Sequence, residues 1–385
     1  MILGQCPEGG SIHRCRQLSV CPGTVPAVRG ADGREVRNMT SRMDLSITEW
    51  DARRRLAKPF IKWAGGKQRF VLEYGARLQV QPGAQYLEPF LGGGSVFFHL
   101  ASKSIGPLSA RLGDRNLHLI NTFIAVRDEP ERVIEGLQIL QAGYAAATDK
   151  AAFYYALRDQ HNAEHPRTNP ARFIFLMRAC WNALYRVNQR GLFNVPYGAP
   201  KTDQIAPSPD AILNASAALY SAQIRACGWQ DTIAMANPGD FVFLDPPYYS
   251  DVINDEAKYD RKPFTREDHW LLIDHLADLR ARGIDFVLTN SAEPELVAAY
   301  TARGFAVEYM SVPRSINSNT EKRHAVPEIV VTPGDGSFDS GRQGVLLDLH
   351  LAAYRQRAAR ETKLDLGADA ATEVDGLARD TKEDE

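Results

Sequence analysis

From about residue 56 to residue 335 two hydrophobic patterns alternate along the chain. Short apolar runs of strand length are separated by longer stretches in which apolar residues recur every three to four positions. Residues 85–88 predict a strand, followed by a glycine-rich turn and a helix beginning at Ser95. Residues 110–113 predict a second strand that ends at Asp114. Helical periodicity covers 116–126, 130–140, 151–161 and 171–184. The apolar run at 241–244 is of the kind buried in parallel sheets. Residues 265–282 predict an amphipathic helix with Thr265 as N-cap and Glu267 and Asp268 in its first turn. Residues 286–288 predict one more buried strand. Strands alternating with helices predict a parallel α/β sheet.

Three stretches depart from this pattern. Residues 1–55 lack apolar periodicity and are expected to form a disordered extension, with Met39 and Met43 as alternative starts. Residues 336–385 are expected to hold one amphipathic helix, at 344–360, and an acidic disordered tail. Residues 149–217 lack buried strand runs and predict a helical insertion between two parts of the sheet domain, 56–148 and 218–335. Charge concentrates in this insertion. The chain as a whole carries a net charge of −2, but from Lys150 to Lys201 there are 8 basic and 2 acidic residues, a local balance of 8 − 2 = +6. Such a segment suits a polyanion, and equally a solvated helical face.

Composition narrows the class. No apolar run approaches the roughly 20 residues needed to span a bilayer, and the N-terminus lacks the apolar core of a secretory signal. The 5 cysteines include no Cys-x-x-Cys pair, which argues against a disulfide framework or a zinc site and for a cytoplasmic protein without a metal.

The chemistry concentrates in a few strings. Asp245-Pro246-Pro247-Tyr248 directly follows the apolar run at 241–244, where open α/β sheets bind their ligands. The prolines fix the backbone and remove two donors. The Asp245 carboxylate and the Pro246 carbonyl then suit an exocyclic amino group, and Tyr248 offers a face for a base. Glu88-Pro89-Phe90-Leu91-Gly92-Gly93-Gly94-Ser95 spans the first strand-to-helix turn, and Asp114 ends the next strand. A glycine-rich loop with an acidic residue about 20 positions on suits a nucleoside cofactor. Trp63 in Lys58-Pro59-Phe60-Ile61-Lys62-Trp63-Ala64-Gly65-Gly66-Lys67 is placed to cover a ring, and Lys67 to pair with a carboxylate. The string from Arg186 to Gly198 predicts a hairpin, too polar for a core and bearing two arginines, the commonest readers of guanine.

Together these strings resemble the Dam-type, alpha-group family of DNA adenine-N6 methyltransferases, from about Lys58 to Thr332. The resemblance implies a Rossmann-like, S-adenosylmethionine-dependent methyltransferase sheet with an inserted helical DNA-recognition domain. It implies base flipping and direct in-line methyl transfer to N6 of adenine in double-stranded DNA. Catalysis falls to Asp245, Pro246 and Tyr248. S-adenosylmethionine is expected to meet Trp63, Lys67, Glu88, Phe90, Gly92, Gly94, Asp114 and Asp245. DNA contacts are expected from Lys62, Trp181, Asn182, Leu184, Arg186, Arg190, Asn194, Pro196, Arg314 and Asn317, with Arg172 and Arg178 on phosphates. A monomer with a cognate restriction endonuclease as partner fits the same family. Members that read GATC carry a tyrosine shortly after the hairpin's Pro-aromatic-Gly, where this chain has Ala199-Pro200-Lys201, so GATC is not implied.

Rival readings share parts of this pattern. Amino-group methyltransferases of RNA, of protein glutamine or of cytosine N4 use related turns, with Asn or Ser more often than Asp at the first position. A catalytically silent DNA-binding regulator would not need Asp245, Tyr248, Gly92, Gly94 and Asp114 together. A nicotinamide dehydrogenase would need a different glycine spacing.

Overall fold

The computed structural model describes residues 46–249, 264–313 and 325–334. Among them seven strands form one sheet: β1 (Tyr86–Glu88), β2 (Ala110–Asp114), β3 (Ala222–Ala226), β4 (Phe241–Leu244), β5 (Asp285–Ser291), β6 (Ala306–Pro313) and β7 (Ala325–Thr332). Their spatial order is β3-β2-β1-β4-β5-β7-β6. The first five are parallel, and β7 runs antiparallel to both β5 and β6. Chain order reverses between β1 and β4, so the switch-point crevice opens above their carboxyl ends. That is where the glycine-rich turn and the Asp245 turn both lie.

Both sheet faces are buried, which explains the unbroken apolar run in β4. Phe241 and Phe243 join one core with Tyr86, Leu112, Ile224, Val287 and Val330. Val242 and Leu244 join the opposite core with Leu87, Phe286, Leu288, Ile329 and Val331. The helices among the described residues are α1 (Ile47–Arg55), α2 (Gln68–Tyr74), α3 (Ser95–Lys103), α4 (Leu117–Asp128), α5 (Pro130–Ala146), α6 (Lys150–Ala163), α7 (Pro170–Ala179), α8 (Pro209–Leu219), α9 (Trp229–Ile233), α10 (Arg266–Ala281) and α11 (Pro294–Ala302); α4, α9, α10 and α11 pack on strands, and α5, α6 and α7 pack on other helices. Local chemistry sets many of their starts. Asn116, Asp149, Asn169 and Ser208 each accept a backbone N–H from the first turn of the helix they cap. Thr265 and Asp268 form a reciprocal capping box on α10. No helix among the described residues is long and apolar enough to cross a membrane.

Two expectations need correction. Residues 47–55, read as part of a disordered extension, form α1, which packs on α3 and α8. Its hold is polar: the fully buried Arg54 donates to the Ala101 carbonyl and to Ser104 Oγ (2.9 Å) and its carbonyl (3.0 Å). An apolar-periodicity search cannot see such an anchor. Residues 209–217, read as part of the insertion, belong to α8, which packs on α1, α3 and α4 beside the sheet. The expected helix over 344–360 and tail lie outside the described residues.

Three buried histidines make stability depend on pH. Burial pushes His118 down to about 4, with His165 adding to the shift, and pushes His161 to about 3 and His269 to about 4. In the unfolded chain these rings take up a proton near pH 6.5, so below that pH the unfolded state binds more protons. Stability is therefore intact above about pH 6.5 and falls as the pH drops toward 4. Each histidine contributes a loss on the order of 2 kcal/mol at about pH 5. Urea denaturation at about pH 7.5 and about pH 5 should show a clear drop in midpoint, and equal midpoints would contradict the buried, neutral assignment.

Candidate active site

The Asp245-Pro246-Pro247-Tyr248 turn follows β4 without a break. Asp245 is partly exposed and its carboxylate is held from two sides. Thr289, at the carboxyl end of β5, donates its hydroxyl to Oδ1 (2.8 Å), and Lys67 places Nζ 2.7 Å from Oδ2. The same ammonium donates to the Tyr248 hydroxyl (3.1 Å) and the Gly65 carbonyl (3.1 Å). It lies 5.0 Å from the Tyr248 ring centroid, within cation–π range. Pro246 is buried, whereas Tyr248 is 39% exposed. Tyr249 is buried and anchors the far side of the turn. Its N–H donates to Asn290 Oδ1 (3.1 Å), its carbonyl accepts from Ser291 Oγ (2.7 Å), and its hydroxyl donates to Glu295 (2.7 Å).

The glycine-rich turn follows β1. Leu91 donates its N–H to the Gly113 carbonyl (2.9 Å), and Gly94 donates to Leu91 (2.8 Å), folding the loop onto the start of α3. Gly92 and Gly94 adopt φ of 48° and 69°, in the left-handed region that favours glycine. A Cβ on Gly92 would sit 3.1 Å from the Trp63 ring. Asp114 ends β2 with its carboxylate aligned by two backbone donors, Gly92 N–H to Oδ2 (3.0 Å) and Asn116 N–H to Oδ1 (2.9 Å). Phe90 lies partly open beside Trp229 (6.3 Å between centroids) and Phe264 (5.7 Å). Glu88 differs from its neighbours: it is 2% exposed and accepts the Tyr86 hydroxyl (2.8 Å). Burial raises its carboxyl well above the usual range. The Tyr86 and Phe97 hydrogen bonds oppose that rise, and nearby Asp245 and Asp114 add to it.

The hairpin forms as the sequence suggests. Val187 pairs with Phe193, Asn188 Oδ1 accepts the N–H of Arg190 (2.9 Å) and of Leu192 (3.1 Å), and Gly191 turns with φ of 80°. Its base rests on α6, where Asn162 clamps the Phe193 backbone and the Tyr154 hydroxyl donates to the Val195 carbonyl. Arg186 Nε donates to Asn194 Oδ1 (2.9 Å). Trp181 and Asn182 lie exposed in a short turn after α7, Asn182 with φ of 53°. The Trp181 N–H donates to the carbonyl of the exposed Pro196 (2.9 Å), and Leu184 packs half-buried against the core. Arg190 and Lys62 are exposed. The turn and the Lys58–Lys67 string meet directly, since Ala64 N–H donates to the Ala183 carbonyl (3.1 Å). Trp63 stacks on Tyr185 (5.6 Å, 17°), and Tyr185 stacks on Phe193 (5.6 Å, 22°), an aromatic ladder from the glycine loop to the hairpin.

Arg172 and Arg178 do not match their expected role. Arg178 donates to the carbonyls of Ile205 and Phe60, and the largely covered Arg172 pairs with Glu164 (2.9 Å). Arg178 ties α7 to the loops at Ile205 and Phe60, and Arg172 ties it to the end of α6. Arg314 and Asn317 lie outside the described residues. Sequence reasoning missed Thr289 and Asn290. Their signal was present as Thr-Asn-Ser at the carboxyl end of β5, three polar residues all buried at a strand end beside the crevice.

A family model for the D12 class N6 adenine-specific DNA methyltransferases matches residues 63–316. The chain is 31% identical over 287 residues to a type II methyltransferase of Lactococcus lactis subsp. cremoris, covering 71% of this chain and 95% of that relative. It is 31% identical over 277 residues to a type II methyltransferase of Methanocaldococcus jannaschii, covering 69% and 95%. It is 30% identical over 278 residues to the DNA adenine methylase of Escherichia coli K12, covering 71% and 94%. With a family model matched over most of the chain and relatives at this level of identity, the chain belongs to the D12 class of N6 adenine-specific DNA methyltransferases.

Proposed function

We propose that the crevice above β1 and β4 binds S-adenosylmethionine and holds an adenine turned out of duplex DNA, with its N6 amino group against Asp245. Membership in the family gives the reaction class, methyl transfer to adenine N6 in DNA. The observation that carries the site assignment is the Lys67–Asp245 contact at 2.7 Å. Asp245 Oδ2 already accepts a cationic N–H donor, the charge and hydrogen-bonding demand that N6 develops as it takes a methyl group.

The residues present suit the methyl donor. The glycine loop leaves no room for side chains against Trp63, and backbone donors hold the Asp114 carboxylate at the carboxyl end of β2, where it would accept from a ribose diol. Trp63, Lys67, Glu88, Phe90, Gly92, Gly94, Asp114 and Asp245 line or support this cradle, Glu88 from beneath it. When bound, S-adenosylmethionine supplies a methyl group made electrophilic by its sulfonium. The protein's part is orientation and charge. Asp245 and the Pro246 carbonyl accept the two N6–H bonds, which favours the nucleophilic form of the nitrogen and stabilises its growing positive charge. Asp245 acts as an orienting acceptor, because the amine proton becomes acidic only after transfer. Tyr248 covers the base.

Extruding the base costs a few kcal/mol. Trp181 and Asn182, exposed on a turn fixed to Pro196, are placed to fill or support the vacated stack. In this reading α6, α7 and the hairpin form the recognition element. Arg186, its Nε taken by Asn194, keeps its terminal nitrogens for a base edge, and Arg190 and Lys62 extend the contact to flanking DNA.

Asp114→Ala tests the cradle. Each ribose hydrogen bond to the carboxylate contributes about 1.5–3 kcal/mol, so titration calorimetry with S-adenosylmethionine should show binding weakened by about tenfold or more. A wild-type protein that does not bind S-adenosylmethionine would remove the cofactor assignment.

A further inference from the structure

The methyl-transfer site contains a carboxylate that the mechanism above does not use. Glu328 lies on β7 opposite Ser291 of β5 and Met310 of β6. Facing residues in an antiparallel pair share a sheet face, and alternate residues along a strand do too. Glu328 therefore lies on the face of Thr289, the residue that donates to Asp245. Its side chain is half-buried and accepts a hydrogen bond from Tyr248, and Lys67 and Arg69 lie near enough to act on its charge. Burial raises its carboxyl above the usual range. Lys67, the Tyr248 hydrogen bond and Arg69 oppose that rise, and Asp245 reinforces it. Lys67 thus sits between two carboxylates: it touches Asp245 directly and reaches Glu328 through the Tyr248 hydroxyl.

We propose that Glu328 is a positioning residue for methyl transfer, tethering the Tyr248 hydroxyl so that the exposed Tyr248 ring is held in one orientation over the base site. The inference rests on the reading of Tyr248 as the face that covers the extruded adenine. A ring that is 39% exposed and set on a turn is only partly held by packing. The polar tethers from Lys67 and Glu328 add to that restraint. Glu328 makes no contact with the adenine in this scheme; its effect passes through Tyr248.

The test is a double-mutant cycle read as the single-turnover rate of tritiated methyl transfer from S-adenosylmethionine to plasmid DNA from a host lacking adenine methylation. Glu328→Ala should lower the rate about tenfold with the apparent KM for DNA within about twofold of wild type. Glu328→Gln, which keeps an oxygen acceptor for the hydroxyl, should recover most of the loss. In a Tyr248→Phe background, where no hydroxyl remains, Glu328→Ala should cost nothing further. If Glu328→Ala fails to fold, Glu328→Leu fills the same space without the acceptor and carries the same comparison. The proposal is overturned if removing the acceptor leaves the rate unchanged, if the loss is equally large in the Tyr248→Phe background, or if Glu328→Gln is as impaired as Glu328→Ala. Tyr248→Ala separates the two levels. An active Tyr248→Ala enzyme would sink the role of Tyr248 itself. An impaired one beside an unaffected Glu328→Ala enzyme would sink only the tether.

Discussion

Asp245→Ala is expected to abolish measurable methyl transfer while the protein stays folded and binds S-adenosylmethionine. The carboxylate stands at the carboxyl end of β4, where Thr289 and Lys67 fix both of its oxygens. Its side chain is partly exposed, so its removal opens no sealed cavity. Lys67 keeps the Tyr248 hydroxyl and the Gly65 carbonyl as acceptors. What is lost is the acceptor aimed at charge developing on N6. Losing one such preorganised electrostatic partner alone costs about 10²–10³ in rate, and the orientation of N6 that Asp245 provides is lost with it, which takes transfer below detection. Asp245→Asn keeps an oxygen but loses the charge, and should fall between wild type and Asp245→Ala. The check is tritium incorporation into DNA beside a thermal melt of each variant. Near wild-type transfer by a well-folded Asp245→Ala protein would rule out the mechanism.

Tyr248→Ala carries the second largest effect. Base–aromatic stacking contributes about 1–3 kcal/mol per base, and the ring also sets the angle at which N6 meets the methyl group. The combined loss should be about 10²-fold or more in the transfer rate. Because Tyr248 is 39% exposed and set on a turn, the melting temperature should change less than for a core tyrosine. Tyr248→Phe keeps the ring and loses only its tethers to Lys67 and Glu328, so it should be impaired about tenfold. Comparing the two variants in single-turnover transfer separates ring from hydroxyl. A Tyr248→Ala enzyme as fast as Tyr248→Phe would mean that the ring does not cover the base.

Much of the sheet was legible because its central strands are buried on both faces. Phe241–Leu244 had nowhere to go but a parallel strand, and the turns after β1 and β4 carried glycine and proline at positions that only special backbone geometry requires. The hairpin was legible from the polar turn closed by Gly191. The β6–β7 pair was missed, since Glu308, Pro327 and Glu328 interrupt its apolar pattern. α1 was missed because its anchor is a buried arginine. Arg172 and Arg178 were misread because a count of charges does not distinguish an arginine facing solvent from one capped by carbonyls or a carboxylate of its own fold. Thr289 and Glu328 escaped for a related reason: a polar residue on a strand reads as solvent-facing until the tertiary fold brings Asp245 and Tyr248 onto it.

Single-molecule sequencing of plasmid DNA from an adenine-methylation-deficient host tests the central claim most directly. The host would express either the wild-type chain or Asp245→Ala. N6-methyladenine is expected in one short sequence context with the wild type and none with Asp245→Ala. Modified cytosine, an unmodified plasmid with the wild type, or the same adenine pattern from Asp245→Ala would contradict it.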